Sequence, residues 1–521
     1  MKKVIILVCV VAVVFALFGG CTTSVNEGAG TGESPGDTKT DGSEKDNQPE
    51  ASQKPVALSM MIPLYVPQPP AESDPVKGEL EKALNAELEI IYVPNSTYHD
   101  KINVNIASRQ LPDVYVQLRP KQESFVNAAR AGMFWEVGSL LGNYEYLKDL
   151  KDEIALVNAA IDGKNYGIPR LRPVSRHGIT YRKDWADRLG IEKPTNMEEV
   201  YEMLKAFTYE DPDRNGAHDT FGLLPSYEEL NQEQWFGGVA HYGVNEKNEI
   251  YVAYAQDEAI EKLKWFKRLY DEKIIPGDFA ALPKAEKKNY FRGSKTGALI
   301  DVTESSYFQE IFDEARKVDP DLKDEDIVDS MILFGEDSNV AGQTGLWGQF
   351  VIPKTSVKNQ ERLDEVLGIL NKINSPEVQN LLYYGVEGVH HKVVDGKIEF
   401  DNQYGDIRKT YNQYGISIGA PVAVSNRLTP EKMPVWKERS RNYHKKAIAD
   451  GRVINNVTMP YVSATYSQKG SELDKIIQDA KVKYIMGVID EEGYRKEMQR
   501  WRDNGGDKML EEYTKAYQAT R

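Results

Sequence analysis

At 521 residues, 40% of them hydrophobic and 10% aromatic, the chain has the material for two packed cores. Its formal net charge of -15 argues against a nucleic-acid partner, because a phosphate backbone demands a surplus of lysine and arginine. The two cysteines, Cys9 and Cys21, both precede Thr22, which leaves the body without disulfides, a thiol nucleophile or cysteine metal ligands.

Lys2 and Lys3 precede an apolar run from Val4 to Phe18, too short and too abruptly ended to span a membrane comfortably but suited to a signal h-region. Gly19 and Gly20 lead into Cys21, and the arrangement resembles the lipobox of bacterial lipoproteins, whose cysteine is lipidated and becomes the mature N-terminus. Phe18 stands where a small aliphatic residue is usual, and an ordinary secretory signal with an incidental cysteine is the alternative. Residues 1–21 are therefore expected to be signal. Residues 22–54 carry almost nothing apolar, cannot offset the entropy of ordering, and are expected to form a disordered tether.

The body opens with alternating elements. Val56 to Ile62 reads as a buried strand, Val76 to Ala86 as a helix, Glu89 to Tyr92 as a strand, Thr97 to Ala107 as a helix and Asp113 to Gln117 as a strand. This βαβα order predicts a mainly parallel sheet covered by helices, with ligand outside the carboxyl ends of the strands. The loop from Pro63 to Pro70, which contains Tyr65, then lies at the rim. A second α/β unit begins near Gly178, with a strand at Ile179 to Tyr181 and a helix starting at Trp185. Thr195 and Glu198 have capping-box spacing for a helix from Asn196 to Phe207.

That helix delivers the chain into DPDRNGAHDTFG, residues 211–222. Asp211, Asp213, Asn215, the Ala217 carbonyl and Asp219 occupy positions 1, 3, 5, 7 and 9 of a calcium loop, with Gly216 at the sharp turn. Gly222 replaces the bidentate glutamate expected at position 12, so the spacing points to a calcium loop in another setting than the helix–loop–helix. An Asp/Asn/Gly turn without an ion is the plainer reading. Further helices are predicted at Glu258 to Glu272, Asn359 to Ile373, Leu473 to Tyr484 and Glu491 to Arg502.

Six stretches carry a resemblance: IASRQLPDVYV (Ile106 to Val116), DGKNYGIPR (Asp162 to Arg170), YRKDWADRLGI (Tyr181 to Ile191), DPDRNGAHDTFGL (Asp211 to Leu223), YYGVEGVHH (Tyr383 to His391) and NGGDKMLEEYTKAY (Asn504 to Tyr517). In this order, behind a lipobox and tether, the body resembles the family 1 extracellular solute-binding proteins of carbohydrate ABC transporters, in the calcium-containing branch that includes alginate-oligosaccharide binders. The resemblance implies an α/β, two-lobed periplasmic-binding-protein-like fold of type II, with a hinge and an interlobe ligand cleft. It implies a first lobe of residues 55–176 plus 332–374 and a second of 177–331 plus 375–521, with the structural calcium loop in the second lobe away from the cleft. In the alginate-binding relatives a glutamate follows the ninth-position aspartate; here Thr220 stands there, which puts affinity for the ion in doubt.

A sugar offers an apolar face and a rim of hydroxyls, so its cleft needs flat aromatics and bidentate polar groups. Packing accounts for most aromatics, so position must select among them. Trp347 lies between Gly345 and Gly348, whose backbones allow close approach, and Tyr307 follows the strand-like Ala298 to Val302 at its carboxyl end. The resemblance adds Trp235, which precedes Gly237 and Gly238, together with Tyr384 and Glu387. Arg170, Arg172, Arg176 and Arg182 cluster in an otherwise acidic chain, and guanidinium forks suit carboxylates. If two or more face the cleft, Arg176 and Arg182 being the chosen pair, the ligand is an acidic oligosaccharide; local ion pairs are the competing reading.

These readings converge on a non-catalytic, monomeric oligosaccharide-binding lipoprotein at the outer face of the bacterial cytoplasmic membrane, anchored through Cys21 and delivering its ligand to ABC permease subunits. A secreted calcium-dependent glycoside hydrolase or polysaccharide lyase is the first alternative, although no GxxxxGK[ST] or HExxH stands in the chain. His390 and His391, adjacent in sequence, make a poor metal pair. A structural surface lipoprotein is the second alternative.

Overall fold

The computed structural model describes residues 54–225, 228–282, 284–305, 308, 310–400, 414–415, 417–419, 428–430 and 433–521. The signal segment with Cys21, the tether up to Gln53, and Tyr307 lie outside the described residues.

In chain order the strands that frame the molecule are β1 (Val56–Leu64), β2 (Ala86–Pro94), β3 (Val114–Gln117), β4 (Gly167–Leu171), β5 (His177–Arg182), β6 (Phe221–Leu223), β7 (Thr296–Val302), β8 (Val328–Met331), β9 (Val340–Gly342), β10 (Leu346–Val351) and β11 (Val453–Asn455). The first sheet has the order β2-β1-β3-β10-β4 and the second β8-β5-β7-β6. β1 pairs in parallel with β2 and β3, as the βαβα order requires. β10 departs from the parallel expectation: it inserts between β3 and β4 and runs antiparallel to both. It enters the sheet from the edge where β3 ends, so it must run the other way. The second sheet is mostly antiparallel, β5 opposing both β8 and β7.

Each sheet has its own core. Met60, Met61 and Ile62 of β1 are all buried, as befits a strand with helices on both faces. Tyr98, on the helix Asn95–Ser108, donates its hydroxyl to the Met61 carbonyl at 2.9 Å and accepts from the Val116 amide at 3.1 Å, stitching that helix to β1 and β3. The first core also takes in Leu363, Leu367 and Leu370 of the helix Gln360–Ile373. Val378 and Leu382, on the helix Pro376–Tyr384, belong to it as well, so this returning stretch continues past Asn374.

The second core gathers Trp185, Phe207, Trp265 and Phe266 with Ile476 and Ile477 of the long helix Ala464–Ile485 and with Trp501. That long helix begins well before the predicted Leu473, where the Ser463 hydroxyl accepts from the Tyr466 amide. The cap of the helix Met197–Tyr209 also differs from expectation. Asn196 is the capping residue, accepting from the Glu198 and Glu199 amides, and Glu199 reaches back to Thr195. The reciprocal pattern is present one residue later than Thr195 and Glu198 suggested, because Asn196 takes the extended backbone of a capping residue and its side-chain oxygen accepts from two amides at once.

Candidate ligand cleft and loop site

Chain segments crossing between the two cores are tied to each other by backbone. Between β4 and β5, the Arg172 amide donates to the Gly345 carbonyl and the Val174 carbonyl accepts from the Gln343 amide, both at 2.8 Å. β9 pairs in parallel with β11 beside this crossing. Both lines are thereby held in fixed register where the chain passes from one core to the other.

A cavity of about 720 Å³ opens beside the crossing. Its first-core wall is the stretch from Leu118 to Ser124 that follows β3, and its second-core wall is the helix Ala464–Ile485 through Tyr466, Gly470 and Asp474; Thr344 and Leu346 lie between them. The expected position outside the carboxyl end of a strand is therefore occupied by open space rather than side chains. Lys121 spans the cavity edge: its ammonium donates to the Pro460 carbonyl at 2.8 Å and also to the Ala160 carbonyl, and burial pulls it down to about 8. Tyr466 donates to Asp474 at 2.9 Å, and burial raises the Asp474 carboxyl. Hydroxyl, carboxyl and ammonium groups thus converge on one space, the equipment needed to hold sugar hydroxyls.

Next to Leu346, Trp347 meets Tyr65 from the loop after β1, the ring centroids 5.6 Å apart at 43°. A register shift between Leu346 and Gln349 aims the indole, and Gly348 permits it: φ is +82° there, and a Cβ would come 2.9 Å from the Gln117 carbonyl. Arg170 is buried and donates to the Trp347 carbonyl at 2.9 Å. The Arg172 guanidinium lies 4.4 Å from the centroid of the Trp347 ring. Burial pulls Arg172 down to about 10, with the like charges of Arg176 and Arg170 acting in the same direction. Burial also pushes the Tyr65 hydroxyl up, against the pull of Arg170.

Other candidates land elsewhere. Arg182 does not face the cleft. It is buried, chelates Asp184 through Nε at 2.7 Å and Nη2 at 2.6 Å, and stacks on Trp185 at 4.7 Å, so its fork is already filled inside the second core. Arg176 is half-buried at the crossing, lowered by burial and opposed by Asp301 and Glu304. Trp235 is 5% exposed and packs on Phe334 with centroids 4.8 Å apart, while one edge borders a smaller cavity of about 190 Å³ shared with Gln234, His241 and Asp301. Tyr384 is buried and donates to the Leu428 carbonyl at 2.7 Å. Glu387 borders a separate groove over the helix Pro75–Leu84 with Glu79 and Lys82.

Tyr383 is the residue that the YYGVEG stretch concealed. Successive helical residues point about 100° apart, and Tyr383 is the one whose hydroxyl acts electrostatically on Arg170 and Arg172. Tyr466 and Asp474 were also passed over. Their signal was a glycine, Gly470, four residues from each on one helix face. His390 and His391 turn their Nδ1 atoms to backbone: that of His390 accepts from the Val386 amide, and that of His391 donates to the Tyr384 carbonyl.

The loop after the helix Met197–Tyr209 draws its oxygens together. The Asp211 carboxylate accepts from the Asn215 and Gly216 amides, and the Asn215 side-chain amide donates to Asp213 and Asp219, each at 3.0 Å. Lys295 pairs with Asp219. Asp213 Oδ1 is buried with no hydrogen-bond partner, and burial together with Asp211 and Asp219 raises the Asp213 carboxyl. Among the described residues no three His, Cys, Asp or Glu side chains are gathered closely enough to hold a metal ion. The donor set nonetheless fits a hard cation: oxygens only, three of them carboxylates, with one oxygen orphaned. Thr220 takes no part, being buried and donating to the Phe207 carbonyl at 2.7 Å. Nor could Gly222 carry a ligand, since a Cβ there would lie 2.2 Å from the Leu204 carbonyl.

The model of the bacterial extracellular solute-binding protein family matches residues 67–379. Lipoprotein LipO of Bacillus subtilis (strain 168) is 33% identical over 479 residues, 89% of this chain and 93% of its own. The polygalacturonan/rhamnogalacturonan-binding protein YtcQ of the same organism is 30% identical over 474 residues, 89% of this chain and 92% of its own. Among solved structures, the S. pneumoniae ABC-transporter substrate binding protein FusA, as an EF-hand mutant in complex with fructo-nystose, has the same fold with a TM-score of 0.66 at 17% identity, over 89% of this chain and all of the other.

Proposed function

Because the chain belongs to the bacterial extracellular solute-binding protein family, we propose that it is the substrate-binding component of an ABC importer that captures an oligosaccharide by lobe closure and hands it to the permease. The observation that carries this reading is the cavity between the 118–124 stretch and the helix Ala464–Ile485, lined in part by Leu346, the chain neighbour of Trp347, whose ring meets that of Tyr65. A ligand touching both walls is held better when they approach, and only such differential contact drives closure. Lobe 1 comprises residues 55–176 and 332–374, extended by the helix Pro376–Tyr384; lobe 2 comprises the remainder of the body.

The ligand is an acidic oligosaccharide. Arginines stand at the crossing, and the name of YtcQ is that of galacturonate polymers. Binding is not coupled to bond cleavage, in keeping with relatives named for binding and transport. Cys21 carries the lipid that holds a monomer at the outer face of the membrane, a reading supported by the name of LipO. Asp211, Asp213, Asn215, the Ala217 carbonyl and Asp219 would hold calcium, which would supply positive charge to the three carboxylates and staple a long loop.

A thermal-shift screen of the full chain against neutral and uronate oligosaccharides tests the reading. Stabilisation by a uronate oligosaccharide without its hydrolysis is the expected result. Hydrolysis of a hit revives the enzyme, and preference for neutral sugars removes the acidic ligand.

A further inference from the structure

Arg172 is half-buried, yet it has no counter-charge among the described residues. The groups that face it are Arg170, Arg176, Tyr65 and Tyr383, and no carboxylate among the described residues pairs with it. Arg182 is chelated by Asp184, and Arg170 is spent on the Trp347 carbonyl. Of these three, Arg172 sits over an aromatic ring with its side-chain donors making no hydrogen bond among the described residues, and leaving partly desolvated charged donors unmet costs stability that a bound anion restores. Its backbone, meanwhile, is pinned to Gly345 on the second crossing segment.

We propose that Arg172 reads a carboxylate on the ligand from the crossing itself, over the Trp347 face, so that charge recognition and lobe closure are one event. This rests on the reading of the cleft as an oligosaccharide site. A guanidinium stacked on an indole presents its N–H edge outward, in the geometry that grips a carboxylate with two parallel hydrogen bonds while a sugar ring continues along the aromatic surface. A ligand held by Arg172 at the crossing and long enough to reach both walls of the cavity gains its wall contacts only as those walls approach, which is the condition for a ligand to shift the population.

The test is calorimetric titration of the full chain with trigalacturonate and with its fully methyl-esterified form, which has the same sugars without charge. Small-angle scattering follows closure. The expected result is that Arg172→Gln weakens trigalacturonate by roughly tenfold or more, the scale of a lost charge-assisted hydrogen bond, while the ester changes within about twofold. Arg172→Lys recovers part of the loss, since an ammonium keeps the charge but not the fork. In the wild type, trigalacturonate but not the ester reduces the radius of gyration. Equal weakening of both ligands in Arg172→Gln, or equal affinity of the wild type for both, overturns the role of Arg172 and leaves the cleft reading standing. Binding of neither by the wild type overturns the cleft reading together with it. Should Arg172→Gln fold poorly, the Arg172→Lys comparison alone decides: no selective loss on trigalacturonate overturns the proposal.

Discussion

Arg172 and Trp347 meet where two chain crossings run side by side, the guanidinium 4.4 Å from the indole centroid and the Arg172 amide hydrogen-bonded to Gly345, two residues before the ring. One residue comes from each crossing, so the pair forms only when the two segments are in register. Trp347→Ala should weaken oligosaccharide binding by about 2 kcal/mol, a change in Kd above tenfold, because a flat desolvated platform is lost. Tyr384→Phe should leave Kd within about twofold, since the lost hydroxyl served Leu428 rather than the cleft. Titration calorimetry on both variants checks the assignment, and comparable losses in the two would reject it.

Calcium held by the 211–219 loop, as proposed, would act on the fold and not on the ligand. At a hundredfold excess over its Kd, an ion bound only by the folded state adds about 2.7 kcal/mol of stability. A chelator should lower the melting temperature while the sugar Kd stays constant, and Asp213→Asn should abolish the chelator response. An unchanged melting temperature after chelation would falsify the structural ion.

His444 makes stability sensitive to acid. Its Nδ1 lies 2.7 Å from the Ser175 hydroxyl and its Nε2 2.8 Å from that of Thr303, tying the crossing to the end of β7. Burial lowers the ring to about 4 from an ordinary 6.5, helped by His177 and Arg176. The unfolded chain takes up the proton first, so this stability is fully present above pH 6.5 and is lost as the pH falls toward 4, by about 3 kcal/mol at most. Urea unfolding of wild type and His444→Gln at pH 7 and pH 4.5 should show a smaller acid loss in the variant. Parallel losses would assign the effect to other groups.

Glu233 pairs with two buried lysines: Lys262 approaches it at 2.5 Å and Lys481 at 3.2 Å, all three nearly without exposure. Burial alone would raise the Glu233 carboxyl, but the two ammonium groups outweigh it and hold it well below the usual range. Glu233→Gln strands two cations in the second core and should cost about 3 to 5 kcal/mol. Glu233→Gln with Lys262→Met should regain part of that in chemical denaturation. A loss under about 1 kcal/mol in the single variant would mean that water reaches the cluster.

What the sequence determined by itself was whatever depends on local spacing. The βαβα opening, the helices at 359–373 and 491–502, and the oxygen spacing of the 211–219 loop follow from periodicity, capping residues and turn chemistry acting over a few residues. The six ordered stretches were likewise sufficient for the family. Tertiary structure decided which side chains meet. Arg172 and Arg182 look alike in the sequence, ten residues apart in one basic cluster; folding gives one a carboxylate two residues away in a buried core and gives the other an indole from a strand far along the chain. Tyr383 and Tyr384 are adjacent, and only the helix's rotation sends them to different surroundings. Exposure, pairing and convergence are long-range properties, fixed by how the segments cross, and no local pattern carries them.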